Sequence, residues 1–137
     1  MKVNLVAVLV ATLAMFAVGA FWYMRLFSKL WSRMHGMDKY SEKEMKELSS
    51  KMGPWYGLQL LMTVLMAFVL AHFITLNPSV EFWKVAFFVW LGFVLPTQVS
   101  AVIFGGTEPR WVVKKIAIMA GEALLRLMVA AWIISLF

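Results

Sequence analysis

The chain has 137 residues, of which 63% are hydrophobic, and a formal net charge of +6 at pH 7. A soluble domain of this length cannot bury so much apolar surface, so the composition excludes an ordinary soluble protein and indicates a membrane protein. The absence of cysteine excludes disulfides, thiolate metal sites and cysteine nucleophiles. No linker, low-complexity tract or repeat divides the sequence, so we expect a single domain over residues 1–137.

Four long apolar stretches are each long enough to cross a bilayer, which takes about 20 residues at a rise of about 1.5 Å per residue. The first stretch has the length of a signal peptide, but most of the nearby positive charges follow it, which favours a retained anchor. The sequence therefore predicts an all-α, polytopic membrane protein. Its four transmembrane helices are expected at about residues 3–24, 54–76, 83–104 and 112–136.

The basic residues between these spans predict the orientation of the chain. The first connection contains seven Lys or Arg residues and the third contains three, against Lys2 and Lys84 on the other side. By the positive-inside rule, we expect a multi-pass membrane protein with both termini facing away from the cytoplasm. Aromatic anchors at the cytoplasmic boundary are expected to be Trp22, Tyr23, Trp55, Tyr56 and Trp111. Attraction to anionic membrane lipids accounts for the net charge, and no nucleic-acid partner is expected.

The connection between the first two spans is predicted to be a cytoplasmic, amphipathic helical segment. Its apolar residues recur at helical spacing while Arg25, Lys29 and Arg33 form a row on another face. Gly36 is expected to end this helix, and Ser41 with Glu44 predicts a capping box at the start of a second one. The segment is interpreted as an elbow that rests on lipid, or as a docking surface for a partner.

Catalytic motifs are missing from the sequence, which contains no H-E-x-x-H, no G-x-S-x-G and no phosphate-binding glycine loop. His35 and His72 are predicted on opposite sides of the membrane midplane, and His35 beside methionines is a weak set of ligands for copper. We therefore expect no enzyme activity, no metal and no cofactor. A lipid-modifying enzyme remains an alternative, because a Glu-Arg site at the membrane could handle a phospholipid.

Two charged residues, Glu122 and Arg126, interrupt the fourth apolar stretch. Arg126 is predicted at the midplane, with Glu122 about 6 Å to its cytoplasmic side. A Glu four residues before an Arg is the favoured order for an ion pair within a helix. Because an unpaired Arg at the bilayer centre costs roughly 2.5–3.5 kcal/mol, the pair is expected to face the interior of the bundle.

Polar residues of the other spans are predicted at a similar depth, where Pro96 interrupts the third helix. The candidate buried polar site consists of Glu122, Arg126, Thr97, Gln98, Thr63, Gln59 and Thr12. These residues are interpreted as a hydrogen-bonded network that fixes the register of the helices, or as a site for an anionic group or a proton.

Several short motifs together resemble a known family. They are Val3-Asn4, Gly19-Ala20-Phe21-Trp22-Tyr23, Phe27 with Trp31, Met37, Met45, Ala71-His72, Leu91-Gly92-Phe93, Phe104-Gly105 and Pro109-Arg110-Trp111. Over nearly the whole chain this pattern resembles the bacterial four-helix membrane family catalogued as domain-of-unknown-function family 1761. Met24-Arg25 replaces the Ser-Pro that is usual there. The resemblance implies a four-span fold in a bacterial cytoplasmic membrane and no catalytic residues.

Two functions follow as alternatives. The first is a non-catalytic subunit of a membrane complex, either self-associating or accessory to other proteins, because so little of the chain lies outside the membrane. The second is an oligomeric small transporter or channel that uses the Glu122–Arg126 site. Four helices alone seldom enclose an aqueous path, so the second function requires association into a homo-oligomer.

Overall fold

The computed structural model describes residues 2–137. In that range the chain forms helices and turns and no strands. Four helices are long and apolar enough to cross a membrane, which confirms the all-α, four-span fold. We name them spans one to four, and they comprise Leu5–Leu26, Gly53–Leu76, Phe82–Phe104 and Pro109–Ser135.

Span one begins with helix α1, Leu5–Phe21. The side chain of Asn4 accepts hydrogen bonds from the N–H groups of Val6 at 2.9 Å and Ala7 at 3.3 Å, so it caps two of the free donors at the helix start. A π-helical turn, Trp22–Leu26, completes the span. In this turn the Phe27 N–H donates to the Trp22 carbonyl, five residues back, at 2.9 Å.

The connection between spans one and two is helical, as the sequence predicts. Helix α2, Ser28–Met34, is followed by Gly36, whose φ of 67° is a left-handed conformation that reverses the chain. A 3₁₀ turn, Met37–Lys39, then packs against α2. The side of the membrane on which this connection lies stays a prediction.

Helix α3, Glu42–Lys51, completes the connection and begins with the predicted capping box. The Ser41 N–H donates to the Glu44 carboxylate at 2.7 Å, and the Glu44 N–H donates to the Ser41 hydroxyl at 3.2 Å. Hydrogen bonds from the backbone and then the side chain of Ser41 hold the pKa of Glu44 below its usual range.

Span two is one helix, α4, Gly53–Leu76. Span three consists of α5, Phe82–Val89, a π-helical turn, Trp90–Val94, and α6, Leu95–Phe104. The π turn directly precedes Pro96, which lacks an N–H and cannot continue a regular α-helical ladder. Span four consists of a 3₁₀ turn, Pro109–Trp111, and α7, Val112–Ser135.

Helix α7 lies at the centre of the bundle. It packs against α1 and against both helical segments of span three, and α1 packs on its other side against α4. The helices approach closely because small residues line the contacts, and these residues include Ala7, Ala11, Ala67, Ala71, Ala86, Ala130 and Ala131, all buried. The pairs Ala7/Ala11 and Ala67/Ala71, each four residues apart, are therefore at helix contacts.

Candidate functional site

The ion pair predicted from the sequence lies between spans one and four. Arg126 Nε is 3.5 Å from Glu122 Oε1, and the Glu122 side chain is only 4% exposed. At this distance the opposite charges attract, but the geometry makes no hydrogen bond, and Arg126 Nε and Glu122 Oε1 are both buried without a hydrogen-bond partner. The pair thus faces the protein interior, and it retains unused hydrogen-bonding capacity.

Span one encloses the Glu122 carboxylate through a glycine. A Cβ atom placed on Gly19 would lie 3.4 Å from Glu122 Oε1, so the carboxylate rests almost on the backbone of α1. Tyr23 lies one turn further along span one and is half-buried. It is close enough to Glu122 and Arg126 to interact with both charges. The site therefore combines a carboxylate, a guanidinium and a phenol.

A tryptophan and a glycine form a second, reciprocal contact between the same two helices. The Trp22 indole N–H donates to the Ile118 carbonyl of α7 at 3.0 Å. The Trp22 ring lies over Gly121, where an added Cβ atom would be 3.3 Å from the indole Cζ2. Trp22 of span one thus packs on Gly121 of span four, while Glu122 of span four packs on Gly19 of span one.

Span three contributes a second tryptophan that binds α7. The Trp90 indole N–H donates to the Ala120 carbonyl at 2.9 Å. Trp22 and Trp90 are each the first residue of a π-helical turn, and their acceptor carbonyls lie two residues apart on α7. The two indoles therefore tie spans one and three to the turn of α7 that immediately precedes Glu122.

The two threonines that the sequence predicts near the midplane are buried, and each hydroxyl donates a hydrogen bond within its own helix. Thr12 donates to the Val8 carbonyl at 2.7 Å, and Thr63 donates to the Gln59 carbonyl at 2.8 Å. The exposed Gln59 side chain reaches only Thr63, at 3.4 Å. None of these bonds reaches the Glu122–Arg126 pair.

The polar residues of span three are also separate from the ion pair. Thr97 lies on the exposed face of α6 and donates to the Phe93 carbonyl at 2.5 Å. Gln98 is half-buried, and its Oε1 atom is buried without a partner. The predicted polar residues thus lie in several places, and no hydrogen bond among residues 2–137 joins them into one layer.

Sequence reasoning missed four residues that surround the ion pair: Gly19, Gly121, Trp22 and Trp90. It placed Trp22 at the membrane boundary as an anchor, whereas the structure turns its indole toward α7. One signal was available, because Gly121 directly precedes Glu122, the single acidic residue within the four spans. A glycine beside a membrane-embedded charge indicates close approach of another helix.

The two histidines make local contacts on separate helices. The His35 Nδ1–H donates to the Trp31 carbonyl at 2.9 Å, and the His72 Nδ1–H donates to the Phe68 carbonyl at 3.1 Å. The His72 bond lies near the end of α4 and uses a carbonyl of the same helix. Within residues 2–137, no group of three or more His, Cys, Asp or Glu side chains is arranged to hold a metal ion.

Chemically, the site can hold a carboxylate and a guanidinium in a water-poor interior and leave donors and an acceptor free. Comparison with known proteins assigns no chemistry to it, since no curated protein and no solved structure matches the chain. One family model, described as "Protein of unknown function (DUF1761)", matches residues 6–135. Because this match covers nearly the whole sequence, the chain belongs to the DUF1761 family.

Proposed function

We propose that the protein is a non-catalytic membrane subunit that associates with its own copies through span three. The observation that carries this proposal is the composition of the outward face of that span. Span three is the least enclosed of the four helices, and its buried residues are Val85, Ala86 and Val102. Most of its surface is therefore free to contact another membrane helix.

The outward face of span three carries large apolar residues such as Phe93 and Ile103, and small and polar residues lie between them. Gly92, Pro96 and Ser100 follow one another at intervals of four residues, and all three are exposed, as is Thr97 beside them. The Thr97 hydroxyl donates to the Phe93 carbonyl of its own helix, but the Ser100 hydroxyl has no partner in the described part of the chain. Hydrocarbon offers no hydrogen-bond partner to Ser100, whereas another helix does. Small residues at this spacing also let two helix backbones approach closely.

The position of Glu122 supports a subunit over a channel. An oligomeric channel that used this carboxylate would place it along an axis between protomers. In the structure, span one of the same protomer covers Glu122, and only 4% of the side chain is exposed. The outer surfaces of the helices are the parts of the molecule that remain for interaction.

Replacing Gly92 by Leu tests the self-association. A Cβ atom at Gly92 meets no atom within 4 Å, so the variant should fold normally while its added side chain separates two span-three helices. In lipid nanodiscs, native mass measurement should show an oligomer for the parent and a monomer for Gly92→Leu.

Gly57→Leu is the matched control, because Gly57 lies on span two and its Cβ atom would also meet nothing within 4 Å. This variant should remain oligomeric. A monomeric parent would contradict self-association, and co-purification of the parent with unrelated subunits would identify an accessory role instead.

The proposed orientation places both termini outside the cytoplasm of a bacterial cell. Since the chain contains no cysteine, single cysteines at Ser41 and Ser79 report accessibility without a background signal. A membrane-impermeant thiol reagent added to intact cells should label Ser79→Cys and leave Ser41→Cys unlabelled until the cells are opened. Labelling of both positions in intact cells would contradict this orientation.

A second candidate function, transport of a proton or a small anion, is favoured by one observation. Arg126 Nε and Glu122 Oε1 are buried beside each other with no hydrogen-bond partner. Ionisable residues with free donors and acceptors inside a membrane are often parts of transport pathways. In this function Glu122 exchanges the proton and Arg126 attracts the anion.

A further inference from the structure

A polar cleft lies on the connection, directly after span one. It is lined by Ser28, Lys29, Ser32, Arg33 and Asp38 and has a volume of about 260 Å³. Pockets for drug-sized ligands measure roughly 300–1,000 Å³, so this cleft suits one small polar group. It lies outside the Glu122–Arg126 site and outside the proposed contact face of span three.

The cleft is formed by local geometry. On α2, Ser28 and Ser32 are four residues apart, as are Lys29 and Arg33, so the hydroxyls and the cations form two adjacent rows. The left-handed Gly36 turns the chain back, and the following 3₁₀ turn brings Asp38 to the same cleft. One side of a short helix thus presents two cations, and a carboxylate faces them.

The cleft directly follows span one, at the depth where lipid headgroups are expected. Helix α2 begins two residues after the end of span one at Leu26. Its Trp31 ring packs edge-on against Tyr23, with the ring centroids 4.6 Å apart, and the Lys115 ammonium is 6.0 Å from the Trp31 centroid. These contacts hold α2 against the bundle at the end of span one, where the polar layer of about 5–8 Å that borders the hydrocarbon core is expected.

The polar groups of the cleft are not used by the protein itself. Within the described part of the chain, Lys29, Arg33 and Asp38 form no ion pair. The half-buried hydroxyls of Ser28 and Ser32 also lack hydrogen bonds to other residues of that part. A ligand that binds the cleft therefore meets two cations, two hydroxyls and one carboxylate that are all free.

We propose that this cleft binds a phosphodiester headgroup that carries its own N–H donor, of the phosphoethanolamine class. The phosphate accepts hydrogen bonds from Lys29, Arg33 and the serine hydroxyls, and the ammonium donates to the Asp38 carboxylate. A phosphate alone would be repelled by Asp38. A phosphocholine headgroup has the same net charge but no N–H, so it cannot donate to Asp38.

Comparing how tightly the protein binds these two headgroups distinguishes specific binding in the cleft from general attraction to surface charge. Each basic residue near a membrane contributes about 1 kcal/mol of attraction to anionic lipid wherever it lies. Phosphatidylethanolamine and phosphatidylcholine are both zwitterionic, so that attraction does not distinguish them. The two headgroups differ in the N–H donor and in size, so a preference that Asp38→Ala abolishes comes from the donor and not from size.

The test uses the full chain in nanodiscs that contain equal parts of the two lipids with identical acyl chains. After transfer to detergent, native mass spectrometry counts the lipids that the protein retains. The parent should retain phosphatidylethanolamine over phosphatidylcholine by about tenfold, equivalent to about 1.4 kcal/mol. Asp38→Ala should abolish this preference, and Lys29→Gln with Arg33→Gln should reduce retention of both lipids.

The control is Lys39→Gln with Lys43→Gln, which removes the same charge from residues that do not line the cleft. This variant should retain lipid as the parent does. Equal retention of the two lipids by the parent, or equal loss in the control and the cleft variants, would overturn the proposal. Addition of soluble glycerophosphoethanolamine should leave the bound lipid in place, and displacement by it would assign the cleft to free phosphodiesters instead.

Discussion

Glu122→Gln alone is expected to lower the free energy of unfolding by about 3 kcal/mol, and Arg126→Met alone by a similar amount. Each change leaves one charge buried without its counter-charge, and breaking a buried pair in this way costs about 3–5 kcal/mol. We expect the lower end because Nε and Oε1 are 3.5 Å apart and make no hydrogen bond. Unfolding of the purified variants in mixed micelles measures these losses.

The double variant, Glu122→Gln with Arg126→Met, is expected to be within about 1 kcal/mol of the parent, because neither remaining side chain is charged. The sum of the two single losses would then greatly exceed the loss in the double variant. Strictly additive losses would show that the two residues do not interact.

Proton flux separates a structural pair from a site that transports protons. In proteoliposomes with an imposed pH gradient and an internal pH-sensitive dye, a transport site predicts a flux that Glu122→Gln stops. A structural pair predicts no flux above that of protein-free vesicles for any of the variants.

Gly121→Leu is expected to lower the free energy of unfolding by about 2–4 kcal/mol. A Cβ atom at this position would lie 3.3 Å from the Trp22 ring, and the rest of the leucine side chain would have to displace the indole. Overpacking of this kind costs about 1–3 kcal/mol, and the indole would also lose its hydrogen bond to Ile118, which contributes about 1 kcal/mol. The same unfolding measurement applies.

Two variants complete this experiment. Gly57→Leu makes the same change at a position with open space and should leave the stability within about 0.5 kcal/mol of the parent. Trp22→Phe removes the indole N–H and should cost about 1 kcal/mol on its own. If Gly121→Leu were as stable as Gly57→Leu, the close packing of Trp22 on α7 would be contradicted.

The four spans could be predicted because charge is very costly in hydrocarbon, so that a chain which crosses a bilayer must contain long uncharged runs. The Glu122–Arg126 contact could be predicted for a similarly local reason, since residues four apart on one helix are neighbours. Both predictions need no knowledge of how the helices are arranged. The residues that enclose the pair, Gly19 and Trp22, depend on which helix lies against α7, and a single sequence does not reveal this.

The π-helical turn of span three shows why depth along the helix did not predict the face on which Thr97 lies. Each π turn contains one more residue than an α-helical turn, which rotates everything beyond it by about 100° relative to a regular helix. Thr97 follows such a turn in span three and lies on its exposed face, whereas its depth along the span had predicted a position in the buried site. The indole hydrogen bond of Trp90, formed with a distant part of the chain, accompanies this turn and has no local signal.

The central position of α7 has a consequence for the order of assembly during synthesis. Spans one and three make their main contacts with span four, which is the last of the four to leave the ribosome. Until then, the indoles of Trp22 and Trp90 lack their acceptor carbonyls, and span two has its main contact with α1 and a smaller one with α5. Insertion of span four is thus the step that completes the bundle, and it brings Glu122 and Arg126 into the membrane already side by side on one helix.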